Sequence, residues 1–189
     1  MIDMSKASFH ILYDGPALAN HEMNVNDLAP ALLAFGEVIE AANETLNGPK
    51  RAQVSLNVKA SFKTGCFGIE LDLVQTLMQQ VGTLFSAAKA VTAQDLLRWL
   101  GVAWDNGDKV IAYSGGLLWL LKKLKGKPVK HAKRLDTGKV LIIIEGEKYE
   151  IEAEVLELYR NAKLRKSLHN VLAPLEREGI NEFAITDRP

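Results

Sequence analysis

Apolar and polar residues alternate along several short stretches of the chain. This pattern predicts β-strands, because successive side chains of a strand point to opposite faces. The first strand should stop at Asp14-Gly15-Pro16, since proline has no donor for a sheet ladder. Turns at 63–66 and 146–147 separate paired stretches and predict two hairpins. The predicted strands are 9–13, 54–62, 67–73, 141–144, 149–153 and 180–185.

A long helix is predicted after the first strand, because apolar residues recur there at steps of three and four. Asn26 or Asp27 could cap its start. We expect Asp27, because Pro30 then lies in the first turn, where its missing N–H costs little. Asn47-Gly48-Pro49 should end the helix. The apolar positions are Leu28, Leu32, Phe35, Ile39, Ala42 and Leu46.

Three further segments have helical periodicity. Apolar residues at 74–88 fit one helical face. Thr92 opens a capping box for a short helix that Gly101 should end. A last helical region begins at Val155, and Pro174 should kink it or start a final short turn.

The stretch from 102 to 124 is ambiguous. Asn106-Gly107 is a typical hairpin turn, whereas the apolar residues of 110–121 also trace a helical stripe. We expect a helix at about 108–124, in which Gly115-Gly116 costs about 1 kcal/mol per glycine. Strands in this stretch, or a break at the glycines, would contradict that expectation.

Together these elements predict an α+β fold of two antiparallel β-hairpin units with packed helices and a central helical insertion. The predicted divisions are a β-α-β-β unit at 1–74, the insertion at 75–125, a basic linker at 126–139 and a β-β-α-β unit at 140–189. A chain of 189 residues is long enough for a real core. The residues predicted to be buried are Leu32, Phe35, Ile39, Leu56, Val58, Ile69, Leu71, Ile142, Ile144 and Leu172.

Composition is ordinary, with a formal net charge of zero, which argues against a surface devoted wholly to nucleic acid. Cys66 is the single cysteine, so a reducing compartment is the simplest expectation. The N-terminus lacks the apolar run of a secretory signal. No apolar stretch approaches the roughly 20 residues that span a bilayer. We therefore expect a cytoplasmic protein without a transmembrane segment.

Charge is concentrated in one run, since residues 122–134 hold seven basic side chains and no acidic one. Such a run could bind phosphate groups or an anionic ligand, lie on an anionic membrane, or form a solvated linker. It has no interleaved aromatic residues to stack bases. The candidate ligand- or phosphate-binding residues are Lys122, Lys123, Lys125, Lys127, Lys130 and Arg134.

The predicted insertion also carries more apolar side chains than a short helical hairpin can bury. Surfaces of that kind commonly contact another subunit, so we expect a homo-oligomer with two-fold symmetry. The candidate residues for a partner or oligomer interface are Trp99, Trp104, Leu117, Trp119 and Leu121.

Catalytic chemistry has weaker support. His10, Asp14, His21 and Glu22 could form a hydrolytic site near the end of the first strand. However, His10 and Asp14 would lie about 13 Å apart on one strand, and no nucleophile–base pair can be assigned. We therefore predict no catalytic residue and no cofactor. We also predict no metal site, because His131 and His169 have no partner at metal-ligand spacing.

The stretch LYDGPALANHEMNVNDLAPALLAFGEVIEAAN at 12–43 resembles the start of an uncharacterised family of small accessory proteins of bacteriophages and prophages. Residues 116–127 and 172–180 fit the same family more loosely. The resemblance implies a phage-associated role in the bacterial cytoplasm and transfers no catalytic residue. The leading hypothesis is a non-enzymatic protein that blocks or sequesters a host protein or an anionic small ligand such as a signalling nucleotide, in a counter-defence role. The alternatives are a nucleic-acid-binding regulator using 122–134 and a hydrolase around His10 and Asp14.

Overall fold

The computed structural model describes residues 3–48, 52–59, 67–77, 90–105 and 109–186, and it has an α+β fold. Its strands are β1 (Asp3–Asp14), β2 (Ala52–Lys59), β3 (Phe67–Leu77), β4 (Val102–Asp105), β5 (Lys109–Ala112), β6 (Ala132–Arg134), β7 (Val140–Ile144), β8 (Glu147–Ile151) and β9 (Glu182–Thr186). Its α-helices are α1 (Val25–Asn47), α2 (Ala93–Leu100), α3 (Leu117–Leu124), α4 (Ala153–Arg160) and α5 (Ala162–Leu172). Short 3₁₀ helices lie at Pro16–Leu18 and Ala173–Glu176.

The main sheet has the strand order β2-β3-β1-β9, and all its pairs are antiparallel. One face of β1 is buried through its odd-numbered residues from Ala7 to Tyr13, as the alternation predicts. Helix α1 packs on this sheet and α5 packs on α1. The last strand, β9, pairs with β1, so the two ends of the chain share one sheet and one core.

A second sheet, β6-β7-β8, forms a smaller core with α3 and α4. Its apolar centre is built from Ile142, Ile151 and Val155, with Leu120 of α3 against them. Trp99 of α2 is half-buried and packs against both this core and the larger one. The two cores are therefore continuous through that side chain.

The expected helix at 108–124 is wrong. Strands β4 and β5 pair across 102–112, and α3 begins only at Leu117, after the glycines. A side chain at Gly116 would not fit, because its Cβ would lie 2.6 Å from the Cα of Gly101. Gly116 is the N-cap of α3, and its lack of a side chain lets two chain segments approach closely. Residues 106–107 of the predicted hairpin turn lie outside the described residues.

Other corrections concern boundaries. Asn24, not Asp27, caps α1, since its side chain accepts the N–H of Asn26 at 2.9 Å. Pro30 consequently lies inside the helix, at an exposed position, and has no N–H to donate to the carbonyl four residues earlier. Strand β3 runs to Leu77, although the alternation was expected to give way to a helix at 74; residues 78–88 of that helix lie outside the described part. The expected linker at 126–139 contains strand β6.

The predicted core is correct for the central positions and wrong at one edge. Five of the predicted residues are buried, namely Phe35, Ile39, Leu71, Ile142 and Ile144. Leu32, Leu56, Ile69 and Leu172 are only half-buried. Val58 is 60% exposed because it lies towards the end of β2, the strand at the edge of the sheet. Sequence alternation identifies the face of a strand but not how far the covering helix reaches.

The predicted caps of α2, the end of α1 and the turn at Pro174 are confirmed. Thr92 and Asp95 form a reciprocal capping box at the start of α2, and Gly101 caps its end. Gly48 caps α1 with a φ of 79°. Pro174 lies in the first turn of the 3₁₀ helix at 173–176. Among the described residues, no helix is both long and apolar enough to cross a membrane.

Candidate functional site

Part of the basic run lies at the end of α3, where the helix geometry separates its residues into two sides. Leu117, Leu120 and Leu124 recur at steps of three and four and are buried. Trp119, half-buried, and the exposed Lys122 and Lys123 occupy the other side. Positive charge suits this end of a helix, where the dipole is negative.

The facing wall is the tip of the β7–β8 hairpin. Glu145 and Gly146 have φ values of 52° and 87°, as a two-residue turn of the primed type requires. The turn therefore lies one residue earlier than the predicted Gly146-Glu147. Alternation along β8 directs Glu147 and Tyr149 to the same side as the buried Ile151. The apolar inner face of the sheet thus ends in a carboxylate and a phenol.

These two walls enclose a cleft of about 390 Å³, which we call the α3–hairpin cleft. Trp119, Lys122, Lys123 and Lys125 line one side. Ile144, Glu145, Glu147 and Tyr149 line the other. Its volume falls within the range of about 300–1,000 Å³ that is typical of small-molecule sites.

Two aromatic rings line the cleft and contact each other. The rings of Trp119 and Tyr149 meet edge to face, with centroids 5.4 Å apart. The ammonium of Lys123 lies 5.4 Å from the centroid of Tyr149 and 6.0 Å from that of Trp119. Both rings also pack against the smaller core, so each is in contact with the core and with an exposed lysine.

Charges around the cleft are partly paired. Lys127 Nζ donates to Glu145 Oε1 at 2.7 Å, and this hydrogen bond, with the nearby charge of Lys125, lowers the pKa of Glu145. The Tyr149 hydroxyl donates to Glu147, which raises the pKa of Tyr149. Lys122 and Lys125 form no ion pair with any residue that the structure describes. The cleft consequently carries an excess of positive charge on its α3 side.

The rest of the predicted basic site lies elsewhere. Arg134 is on β6 and pairs with Val140 of β7. Val140 lies four residues, or about 13 Å, from Ile144, which lines the α3–hairpin cleft. It lines a different and smaller cleft with Glu157 and Arg160. Lys130 is exposed in the loop before β6. The structure therefore gathers Lys122, Lys123, Lys125 and Lys127 but separates them from Lys130 and Arg134.

Of the predicted interface residues, Trp119 lies in the cleft, and Leu117 is fully buried in the chain's own core. Trp99 and Leu121 are half-buried and pack against the same core. The side chain of Trp104 lies outside the described part of the structure. The apolar excess that suggested an oligomer is thus used largely within the chain at Leu117, Trp99 and Leu121.

The structure does not bring together the residues of the alternative hydrolytic site. Asp14 accepts the N–H of Gly15 at 2.7 Å and so stabilises its turn. His10 lies four residues away on the same strand, where its Nε2 is 3.9 Å from Glu70. His21 and Glu22 are exposed in the following loop. Within the described residues, no three His, Cys, Asp or Glu side chains are arranged to hold a metal ion.

Sequence reasoning missed Tyr149, Glu145 and Glu147 as members of the site. The hairpin itself was predicted, but its tip has no sequence signal that connects it with α3.

Comparison with protein-family models, curated protein sequences and solved structures finds no match to this chain.

Proposed function

We propose that this protein is a non-enzymatic binding protein that captures an anionic component in the α3–hairpin cleft. The observation that carries the proposal is the convergence of three lysines with two accessible aromatic rings in one cleft. The lysines are Lys122, Lys123 and Lys125, and the rings belong to Trp119 and Tyr149. Lysine supplies a compact positive charge that suits phosphate or carboxylate groups.

The biological setting of the proposal rests on the resemblance at 12–43 to phage and prophage accessory proteins. In that setting the protein acts in the cytoplasm of a bacterial host. There it blocks or sequesters a host component, as part of a counter-defence role. An anionic small ligand fits the cleft better than an apolar protein contact does, because Leu117 is buried in the chain's own core.

Recovery of the ligand from host lysate tests the proposal. The tagged protein is incubated with lysate, washed and denatured, and the released small molecules and proteins are identified by mass spectrometry. The test variant Lys122→Glu/Lys125→Glu should recover at least ten-fold less ligand. The matched control Lys163→Glu/Lys166→Glu makes the same charge change at exposed positions of α5 and should recover the wild-type amount.

Other outcomes would favour other functions. Equal recovery by both variants, or no recovered ligand at all, would contradict anion capture in the cleft. Recovery of nucleic acid whose binding weakens steeply with salt would favour the nucleic-acid-binding regulator, because each phosphate contact releases counterions. Turnover of a lysate component that is lost in His10→Ala would favour the hydrolase.

We also propose that the protein forms a homo-oligomer with two-fold symmetry. Two large apolar side chains on α1 support it, because Val25 is 66% exposed and Leu33 is 73% exposed. They lie eight residues apart and therefore near the same face of the helix. Light scattering at micromolar concentration should give twice the chain mass, and Leu33→Glu should reduce it to one chain. A wild-type monomer would refute the assembly without affecting the cleft.

A further inference from the structure

The two aromatic rings of the cleft do not serve anion binding as such, and they point to the chemistry of the ligand. A site for phosphate alone needs only donors and positive charge. Trp119 and Tyr149 add ring surface: both are half-buried, pack against the smaller core and are also in contact with the exposed Lys123. Exposed contacts between an ammonium and a ring are weak, so a flat group can replace Lys123 there.

The two carboxylates of the cleft further restrict the chemical class of the ligand. Glu145 and Glu147 oppose the lysines, and an anion filling the whole cleft would meet both carboxylates. A ligand with hydroxyl or amino groups at one end can instead donate to them. Each carboxylate accepts about four hydrogen bonds, so Glu147 retains acceptors beyond its bond with Tyr149.

The same carboxylates argue against a continuous strand of nucleic acid. A strand carries a phosphate at every nucleotide and would pass Glu145 and Glu147 after leaving the lysines. Arg134, another cation of the predicted basic site, lies opposite Val140, which is about 13 Å along β7 from Ile144 of the cleft. The positive charge is thus confined to one end of a cleft of about 390 Å³, a volume suited to a single small ligand.

We infer that the ligand is a nucleoside phosphate, which binds with its base against Trp119 and Tyr149 and its phosphate at Lys122 and Lys125. Lys123 leaves the rings when the base arrives and joins the lysines that hold the phosphate. Glu145 and Glu147 accept hydrogen bonds from the sugar or the base. This inference rests on the proposed function, because it specifies the anionic ligand of the same cleft.

Calorimetric titration of the purified protein separates the inference from the proposed function. The probes are the four ribonucleoside 5′-monophosphates and ribose 5-phosphate, which has the same sugar and phosphate but no base. Stacking of a base on an aromatic side chain should make at least one nucleotide bind about ten-fold more tightly than ribose 5-phosphate. Lys122→Glu/Lys125→Glu should abolish binding of every probe, and Lys163→Glu/Lys166→Glu should not.

The role of the ring is tested at Tyr149. Tyr149→Leu should reduce the preference for the nucleotide, because it removes one of the two rings that contact the base. Tyr149→Phe keeps the ring and should keep the preference. Circular dichroism of each variant establishes that it is folded before titration.

Each remaining outcome is decisive. Equal binding of nucleotide and ribose 5-phosphate, lost in Lys122→Glu/Lys125→Glu, would overturn the nucleotide inference and leave anion capture standing. Binding of none of these probes at millimolar concentration by the folded protein would also overturn it. The lysate experiment then decides separately whether another anion occupies the cleft.

Discussion

The Tyr13 hydroxyl donates to the Val171 carbonyl oxygen at 2.7 Å, and this buried bond joins β1 to α5 across 158 positions of sequence. Tyr13 is 1% exposed, and its ring packs against Phe183 of β9 with centroids 5.2 Å apart. The first strand, the last helix and the last strand therefore meet at one side chain. This contact fixes the C-terminal region on the N-terminal half of the core.

Removing that hydroxyl should destabilise the fold. Tyr13→Phe leaves the buried Val171 carbonyl without its side-chain donor, and we expect a loss of about 1–3 kcal/mol in the free energy of unfolding. Urea denaturation followed by circular dichroism measures it. Tyr149→Phe removes an exposed hydroxyl and should leave the midpoint unchanged. Coincident curves for wild type and Tyr13→Phe would show that the buried bond contributes nothing.

Tyr13 should also make stability depend on pH in alkaline solution. Burial raises the pKa of Tyr13 above the ordinary value of about 10. Above pH 10 the unfolded chain loses this proton while the folded chain keeps it, so the free energy of unfolding falls, by up to about 1.4 kcal/mol per pH unit. Below pH 10 this group has no effect.

Denaturation of wild type and Tyr13→Phe at pH 8, 10 and 11 checks this expectation. Other titrating groups act equally in both proteins, so the difference between them isolates Tyr13. The wild type should lose more stability than the variant between pH 10 and 11. Parallel profiles would mean that Tyr13 ionises without unfolding the chain.

Truncating Phe35 tests the centre of the core. Its side chain is 2% exposed, and its ring centroid is 5.8 Å from that of Phe9. Phe35→Ala should cost about 3–5 kcal/mol, because it removes buried surface and leaves a cavity. Leu33→Ala, two residues away on the same helix but 73% exposed, should leave the monomer's stability nearly unchanged. Similar effects of the two changes in denaturant would contradict the burial.

The side-chain amide of Asn47 forms two hydrogen bonds with the backbone of Val91. Its Nδ2 donates to the Val91 carbonyl at 2.9 Å, and the Val91 N–H donates to its Oδ1 at 2.8 Å. Gln75 Nε2 donates to the same carbonyl at 2.7 Å. The end of α1 therefore positions the residue that precedes the Thr92 capping box.

Asn47→Ala should cost about 1–3 kcal/mol, since it removes the two hydrogen bonds with Val91 and a third, from Asn47 Nδ2 to Asn43 Oδ1 at 3.0 Å. Amide hydrogen exchange at Val91 should become faster, because its N–H loses the acceptor. Asn57→Ala, at an exposed position of β2, is the matched control and should change neither quantity. An unchanged rate of amide exchange at Val91 in Asn47→Ala would contradict the hydrogen bond from Val91 to Asn47.

The sequence by itself determined the elements whose signals are local. Alternation identified the buried face of β1, and Thr92, Gly101 and Gly48 marked helix ends, because a strand period or a cap depends on a few adjacent residues. The α+β class followed from the order of these elements. The predicted N-cap at Asp27 was wrong, because Asn24, three residues earlier, caps α1 with the same kind of local hydrogen bond.

Only the tertiary structure decided the choice at 102–124. The apolar residues there fit a helical stripe, and the same segment also fits a hairpin followed by a short helix. The close approach of Gly116 to Gly101 is a contact between segments, which no local period encodes. The pairing of β9 with β1 likewise required the folded chain.

The candidate site divides in the same way. A cluster of lysines at 122–127 is visible in the sequence, because charge is a property of composition. The tertiary structure alone brought Tyr149 to Trp119, thirty positions earlier, and moved Arg134 to a different cleft. Such a meeting depends on how α3 packs against the β7–β8 hairpin, and packing is set by the shapes of many side chains together.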